Sequence, residues 1–136
     1  MNKARTLLAA LLVSVVGIAA IGSTAGAAVP LNIKIAPYAG TKVKVAKKLK
    51  VLASCSKDCK AKVKVTLITP AGNTSVKGGR NLTANRSWIT GMVLTGYGLN
   101  ILKNHYRYSS LRVAVTATNI ANGTVRHKTK TFRFRR

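Results

Sequence analysis

Negative charge is almost missing from this chain. One aspartate, Asp58, and no glutamate stand against 24 lysines and arginines in 136 residues, a formal net charge of +23. That shortage excludes chemistry before any motif is sought. Glycoside hydrolysis uses two carboxylates in most families, and hard divalent cations are held by several oxygen anions. A hydrolase triad needs an acid to orient its base, and Asp58 lies between two cysteines, where it is placed to shape a turn. One Trp, four Tyr and two Phe give no spaced platform of rings for single-stranded nucleic acid. Neither a phosphate loop nor a dinucleotide fingerprint occurs. Two cysteines and two histidines, His105 and His127, leave no full tetrahedral zinc shell once the thiols are oxidised. We therefore expect no catalysis, no cofactor and no metal, with both histidines at the surface.

A long apolar run occurs only at the start. Lys3 and Arg5 precede an apolar stretch from Thr6 to Ile21, and small residues follow as far as Ala25-Gly26-Ala27. This is the order of a secretory signal, cleaved after Ala27 or Ala28. The stretch falls short of the roughly 20 residues that span a bilayer, and no basic cluster closes its far side. Residues 1–27 thus read as a signal peptide and 28–136 as one domain, secreted or associated with the cell wall, with no later membrane span. A domain of this size can bury a single core. In an oxidising compartment Cys55 and Cys59 are expected to form a disulfide. The loop of Ser56, Lys57 and Asp58 is too short for a large entropic gain, so the bond should mainly lock a turn.

What the sequence has in quantity is alternation. Leu31–Ile35 and Thr41–Val45 each alternate. Between Lys47 and Leu67 the odd positions carry Leu49, Val51, Ala53, Cys55, Cys59, Ala61, Val63, Val65 and Leu67, and the even ones carry most of the lysines. This is the pattern of half-buried strands. Two geometries suit the cysteine loop. A hairpin would pair Val51 with Val63 on one apolar face, but it would also set Lys50 opposite Lys64, which is unfavourable. An arch would carry the chain to a second sheet and separate those lysines. The matching apolar positions favour the hairpin slightly.

Further on, Thr69–Asn73 reads as a turn and Lys77–Asn81 as a loop. Ser87–Thr95 is apolar on both parities, so it should be a strand covered on both faces or a short buried segment. Gly96-Tyr97-Gly98 should break it, and Leu99, Leu102 and Tyr106 suggest a helical turn over 99–107. A strand begins near Leu111, Asn119–Gly123 is a hairpin turn with Asn-Gly, and the chain returns from Val125 to Phe134. About seven short strands without a long helix point to an all-β, antiparallel sandwich.

Val51-Leu-Ala-Ser-Cys-Ser-Lys-Asp-Cys-Lys-Ala-Lys-Val-Lys-Val65, followed by Leu111-Arg-Val-Ala-Val-Thr-Ala-Thr-Asn-Ile-Ala-Asn-Gly-Thr-Val125, resembles a family of secreted, chiefly actinobacterial domains. These are Ig-like or fibronectin-III-like, with a C-x3-C strand pair. Leu102–Tyr108 looks like that family's basic middle segment. The resemblance covers most of 42–134 and implies a single Ig-like β-sandwich and export. It implies no activity, because such domains serve as accessory or surface modules. Asn119 stands where the family usually has Asp, which weakens any calcium role at that turn.

The remaining signal is the basic surface. Lys42, Lys44, Lys48, Lys50, Lys60, Lys62 and Lys64 share one parity, and alternation would gather many of them on outward sheet faces. A second group gathers towards the end of the chain: Arg107, Arg126, Lys128, Lys130 and Arg133, with Lys103, Arg112, Arg135 and Arg136. Charged strand faces often only meet water and discourage edge pairing. Here almost nothing balances the positives, so self-repulsion is barely relieved. The expected partners are an anionic cell-wall polymer, an acidic polysaccharide or an anionic lipid surface, held in a salt-sensitive way. Nucleic acid would bind without sequence preference. The alternative reading is a secreted effector, either antimicrobial or protease-inhibitor-like.

Overall fold

The computed structural model describes residues 30–136; the leader reading over 1–27 lies outside them. The described residues form eight strands: β1 (Ile33–Pro37), β2 (Val43–Lys44), β3 (Lys48–Cys55), β4 (Cys59–Thr69), β5 (Gly72–Leu82), β6 (Trp88–Val93), β7 (Ser110–Asn119) and β8 (Val125–Arg135). One helix, α1 (Gly96–His105), and a 3₁₀ turn, Tyr106–Tyr108, lie between β6 and β7. The strands make two sheets, ordered β1-β3-β6 and β2-β8-β7-β4-β5. All pairings are antiparallel except β2 with β8, which is parallel. That exception corrects the expectation of a wholly antiparallel structure. After Gly40, at φ +71, the chain reaches the edge of the larger sheet, and Val43 and Lys44 align with Phe134 and Arg135.

The odd-numbered apolar residues from Leu49 to Leu67 are all buried. They join Val113, Val115, Phe132 and Phe134 in one hydrophobic cluster fed by both sheets. Each fully buried Val or Leu contributes roughly 1.5–3 kcal/mol relative to exposure. Phe132 and Phe134 point the same way, as their parity requires.

The cysteine loop is an arch, not the favoured hairpin. Val51 pairs with Pro37 and Thr90 in the smaller sheet, whereas Val63 pairs with Gly78 and Val115 in the larger one. Burial explains the choice, because the two apolar faces can cover each other only from different sheets. The arch also keeps Lys50 away from Lys64. Cys55 and Cys59 are disulfide-bonded, and neighbouring segments dock on the loop between them. Asn85 N donates to Cys55 O at 2.7 Å, Ile120 N to Asp58 O at 3.1 Å, and Ala84 N to Asp58 Oδ1 at 2.8 Å. The lone carboxylate therefore ties the arch to the turn before β6. Replacing both cysteines by alanine should lower unfolding free energy by about 2 kcal/mol, from the small loop alone. Urea titration of the two forms measures this.

Three local expectations are corrected. Lys77–Asn81 is not a loop, since it lies within β5, where Lys77 pairs with Lys64 and Gly79 with Lys62. Backbone pairing along the whole of β4 outweighs the weak strand preference of Gly78 and Gly79. Ser87–Thr95 is not covered on both faces either. β6 is an edge strand whose Ile89 and Val93 are 54 % and 65 % exposed. Finally, the helical turn begins before residue 99: β6 ends at Val93 as the glycines required, but Gly96 and Gly98 already belong to α1. Thr95 caps the helix, its Oγ1 accepting from Gly98 N at 3.0 Å, a standard way to satisfy a free amide. Leu102 anchors α1 in the core.

Gly91 in β6 is a position that only glycine fits. Its φ is +155, and a Cβ built there would overlap the carbonyl oxygen of Leu49 and lie 3.2 Å from Lys50 Cα.

Candidate polyanion-binding faces

The candidate basic residues divide among four places. The first is the outer face of the five-stranded sheet. Cross-strand register sets Thr129, Ala114, Lys64 and Lys77 in one row, and His127, Thr116, Lys62 and Gly79 in the next. Lys60 follows, between Asn81 and Thr118. The small residues Gly79, Ala114 and Thr116 floor a shallow groove of about 530 Å³ flanked by Lys62, Lys64 and Lys77. Lys77 was not among the candidates, because its glycine neighbours disguise a strand. The signal that finds it is the turn at Pro70-Ala71, from which counting back along β5 brings 77 opposite 64. His127 is held on this face by a 3.0 Å hydrogen bond between Nδ1 and Thr116 Oγ1.

Lys44, Lys48 and Lys50 line a second depression, of about 330 Å³, with Lys42, Tyr38 and Arg135. Lys50 Nζ stands 5.0 Å from the centre of the Tyr38 ring, within cation–π range.

Arg126, Lys128 and Lys130 are placed differently. Register sets them opposite Ala117, Val115 and Val113, which face the core, yet all three are exposed. The smaller sheet ends at β1 and does not reach over them. Lys128 Nζ instead donates to the carbonyl of Ile33 at 3.0 Å, and Lys130 lies 5.7 Å from the Phe132 ring. These cations border the seam between the sheets, as inward-pointing charges do at a protected edge. They do not join the outer face.

Lys42, Arg107 and Arg133 meet at one end of the molecule, with Arg135 and Arg136, around Tyr106. Arg133 Nη2 donates to the Arg107 carbonyl at 2.7 Å. Tyr106 packs against the core, while its hydroxyl accepts from Arg107 Nε at 3.3 Å. That hydrogen bond draws the phenol below its ordinary titration range against an opposing effect of burial, and the charges of Arg107, Arg136 and Lys42 add to it. Tyr108, by contrast, is 77 % exposed.

His105 ends α1, exposed, and its carbonyl accepts from Ser109 Oγ at 2.8 Å. Among the described residues no three His, Cys, Asp or Glu side chains come together, and no helix is long and apolar enough to cross a membrane. No known protein family matches the chain, and no curated protein is similar to it. Donors dominate all four places, and the only side-chain carboxylate is engaged at the arch. The chemistry these surfaces offer is the capture of negative charge.

Proposed function

We propose that this is a non-catalytic, exported protein of Ig-like build that attaches to anionic polymers of the cell envelope through the outer face of its larger sheet. The observation that carries this reading is the direct opposition of Lys64 and Lys77 beside Lys62, on a face without a carboxylate. Like charges set directly across a strand pair are destabilising, and a solvated exterior has no need of them. An anion lying in the groove turns that repulsion into attraction. Lys60, Lys62 and Lys64 also stand in a straight line, about 7 Å apart by strand geometry, which suits a linear chain of repeating charges. The flat groove selects charge over shape, so the ligand class is a polyanion without sequence readout.

The Ig-like assignment is supported by strand order. Named in the usual way, the sheets run A-B-E and A′-G-F-C-C′, with the edge strand between A and B crossing to pair with the last. Export is supported by the disulfide and by the leader-like sequence of 1–27.

The test is retention of the purified protein on isolated cell-wall polymer across a salt series. Retention should fall steeply and log-linearly between about 50 mM and about 200 mM salt. Retention that hardly changes over that range would remove the electrostatic basis of the reading. Growth inhibition or stoichiometric capture of a protease would favour a secreted effector instead.

A further inference from the structure

Beyond the diffuse outer face, the end of the molecule holds a depression of a different kind. A cup of about 400 Å³ is lined by Lys42, Tyr106, Arg107, Arg133, Arg135 and Arg136, with Phe134 at its base and no Asp or Glu side chain. Five cations thus converge on a space of small-molecule size. Three of them, Arg107, Arg133 and Arg136, are positioned by contacts that do not neutralise them. Arg133 is anchored on the Arg107 carbonyl, and Arg107 is steered by its Nε bond to the Tyr106 hydroxyl. The guanidiniums of Arg107 and Arg136 each lie 5.8 Å from the Tyr106 ring centre. Bonding through Nε leaves the terminal nitrogens of Arg107 free to donate elsewhere, and a fork of that type matches the oxygens of a phosphate. Fixed donors also lose less freedom on binding than mobile ones.

We infer that this cup is a discrete site for a phosphoryl group, gripped by the guanidiniums of Arg107, Arg133 and Arg136 with Lys42 as a supporting charge. The inference goes beyond the polymer-binding reading, because a diffuse lysine face provides no saturable site for a small anion. The two stand or fall separately.

The probe is inorganic pyrophosphate, with sulfate as a test of preference, titrated into the purified protein by calorimetry. The ionisation of Tyr106 is followed in parallel by ultraviolet absorbance, as the difference between the protein and its Tyr106→Phe variant. Pyrophosphate should bind one-to-one and more tightly than sulfate, and should move the Tyr106 transition to higher pH by screening the cations around it. The double variant Arg107→Gln/Arg136→Gln should weaken binding at least tenfold, while Lys62→Gln/Lys64→Gln/Lys77→Gln leaves it unchanged. Arg136→Gln alone, at an exposed position, guards against a folding defect and should give a partial loss. Binding lost equally in the outer-face variant, binding without saturation, or a Tyr106 transition that ignores pyrophosphate would each overturn the site. Polymer retention that persists while pyrophosphate fails would sink the cup and leave the outer face standing; the converse result would do the reverse.

Discussion

Gly91→Ala is expected to lower the melting temperature by about 15 °C or more, the largest effect of a methyl group added at any of the described glycines. The added carbon would overlap the Leu49 carbonyl oxygen, with Lys50 Cα 3.2 Å away. Both obstacles are backbone of β3, so no side chain can rotate aside, and the β3–β6 pairing must open instead. Its φ of +155 adds strain, since L-residues rarely occupy that region. A cost of about 4 kcal/mol is a large share of the roughly 5–15 kcal/mol that holds a domain together. In a domain of this size each kcal/mol shifts the midpoint by about 4–8 °C. Gly123→Ala is the matched control. That glycine also has a positive φ, +74, but nothing lies within 4 Å of a Cβ placed there. Its substitution should cost only about 1–2 kcal/mol. Equal midpoints for the two variants, by differential scanning calorimetry, would show that close approach at Gly91 does not govern the β3–β6 pairing.

The triple change Lys62→Gln/Lys64→Gln/Lys77→Gln should move affinity and stability in opposite directions. Losing three phosphate contacts should reduce the slope of log affinity against log salt by about 2, using single-stranded DNA as a sequence-neutral probe. Over a fourfold rise in salt the parent should then lose about fifteenfold more affinity than the variant. Relief of the Lys64–Lys77 opposition should stabilise the fold by roughly 0.2–1 kcal/mol, raising the midpoint by up to about 8 °C. A surface kept only for solubility would show the gain in stability without the loss of binding. A variant that binds as before, with the same salt slope, would eliminate the outer face as the point of attachment.

The alternation from Leu49 to Leu67 carried the core directly, because strand parity is a local property and every odd apolar residue in it is buried. Turns at Thr69–Asn73 and Asn119–Gly123 were equally local. Thr69 Oγ1 donates to Gly72 O at 2.8 Å, and Gly123 N donates to Asn119 O at 2.8 Å. Which strand each one pairs with was another matter. Hairpin and arch share the same apolar positions around Cys55 and Cys59, and only the second sheet decides between them. Lys77 hid behind Gly78-Gly79, where edge pairing overrode composition. The cup was the least legible feature. Lys42 lies far in sequence from Tyr106 and Arg133, and they meet because two residues of β2 align with the end of β8, a contact with no local signature.

That short parallel contact also has a mechanical meaning. β2 and β8 run in the same direction, with Val43 beside Phe134 and Lys44 beside Arg135, and Val45 N bonds to Arg135 O at 2.8 Å. Tension entering through the start of β2 and leaving through the end of β8 acts along these bonds in shear, so they share the load and yield together, where an antiparallel hairpin pulled from its open end would unzip one rung at a time.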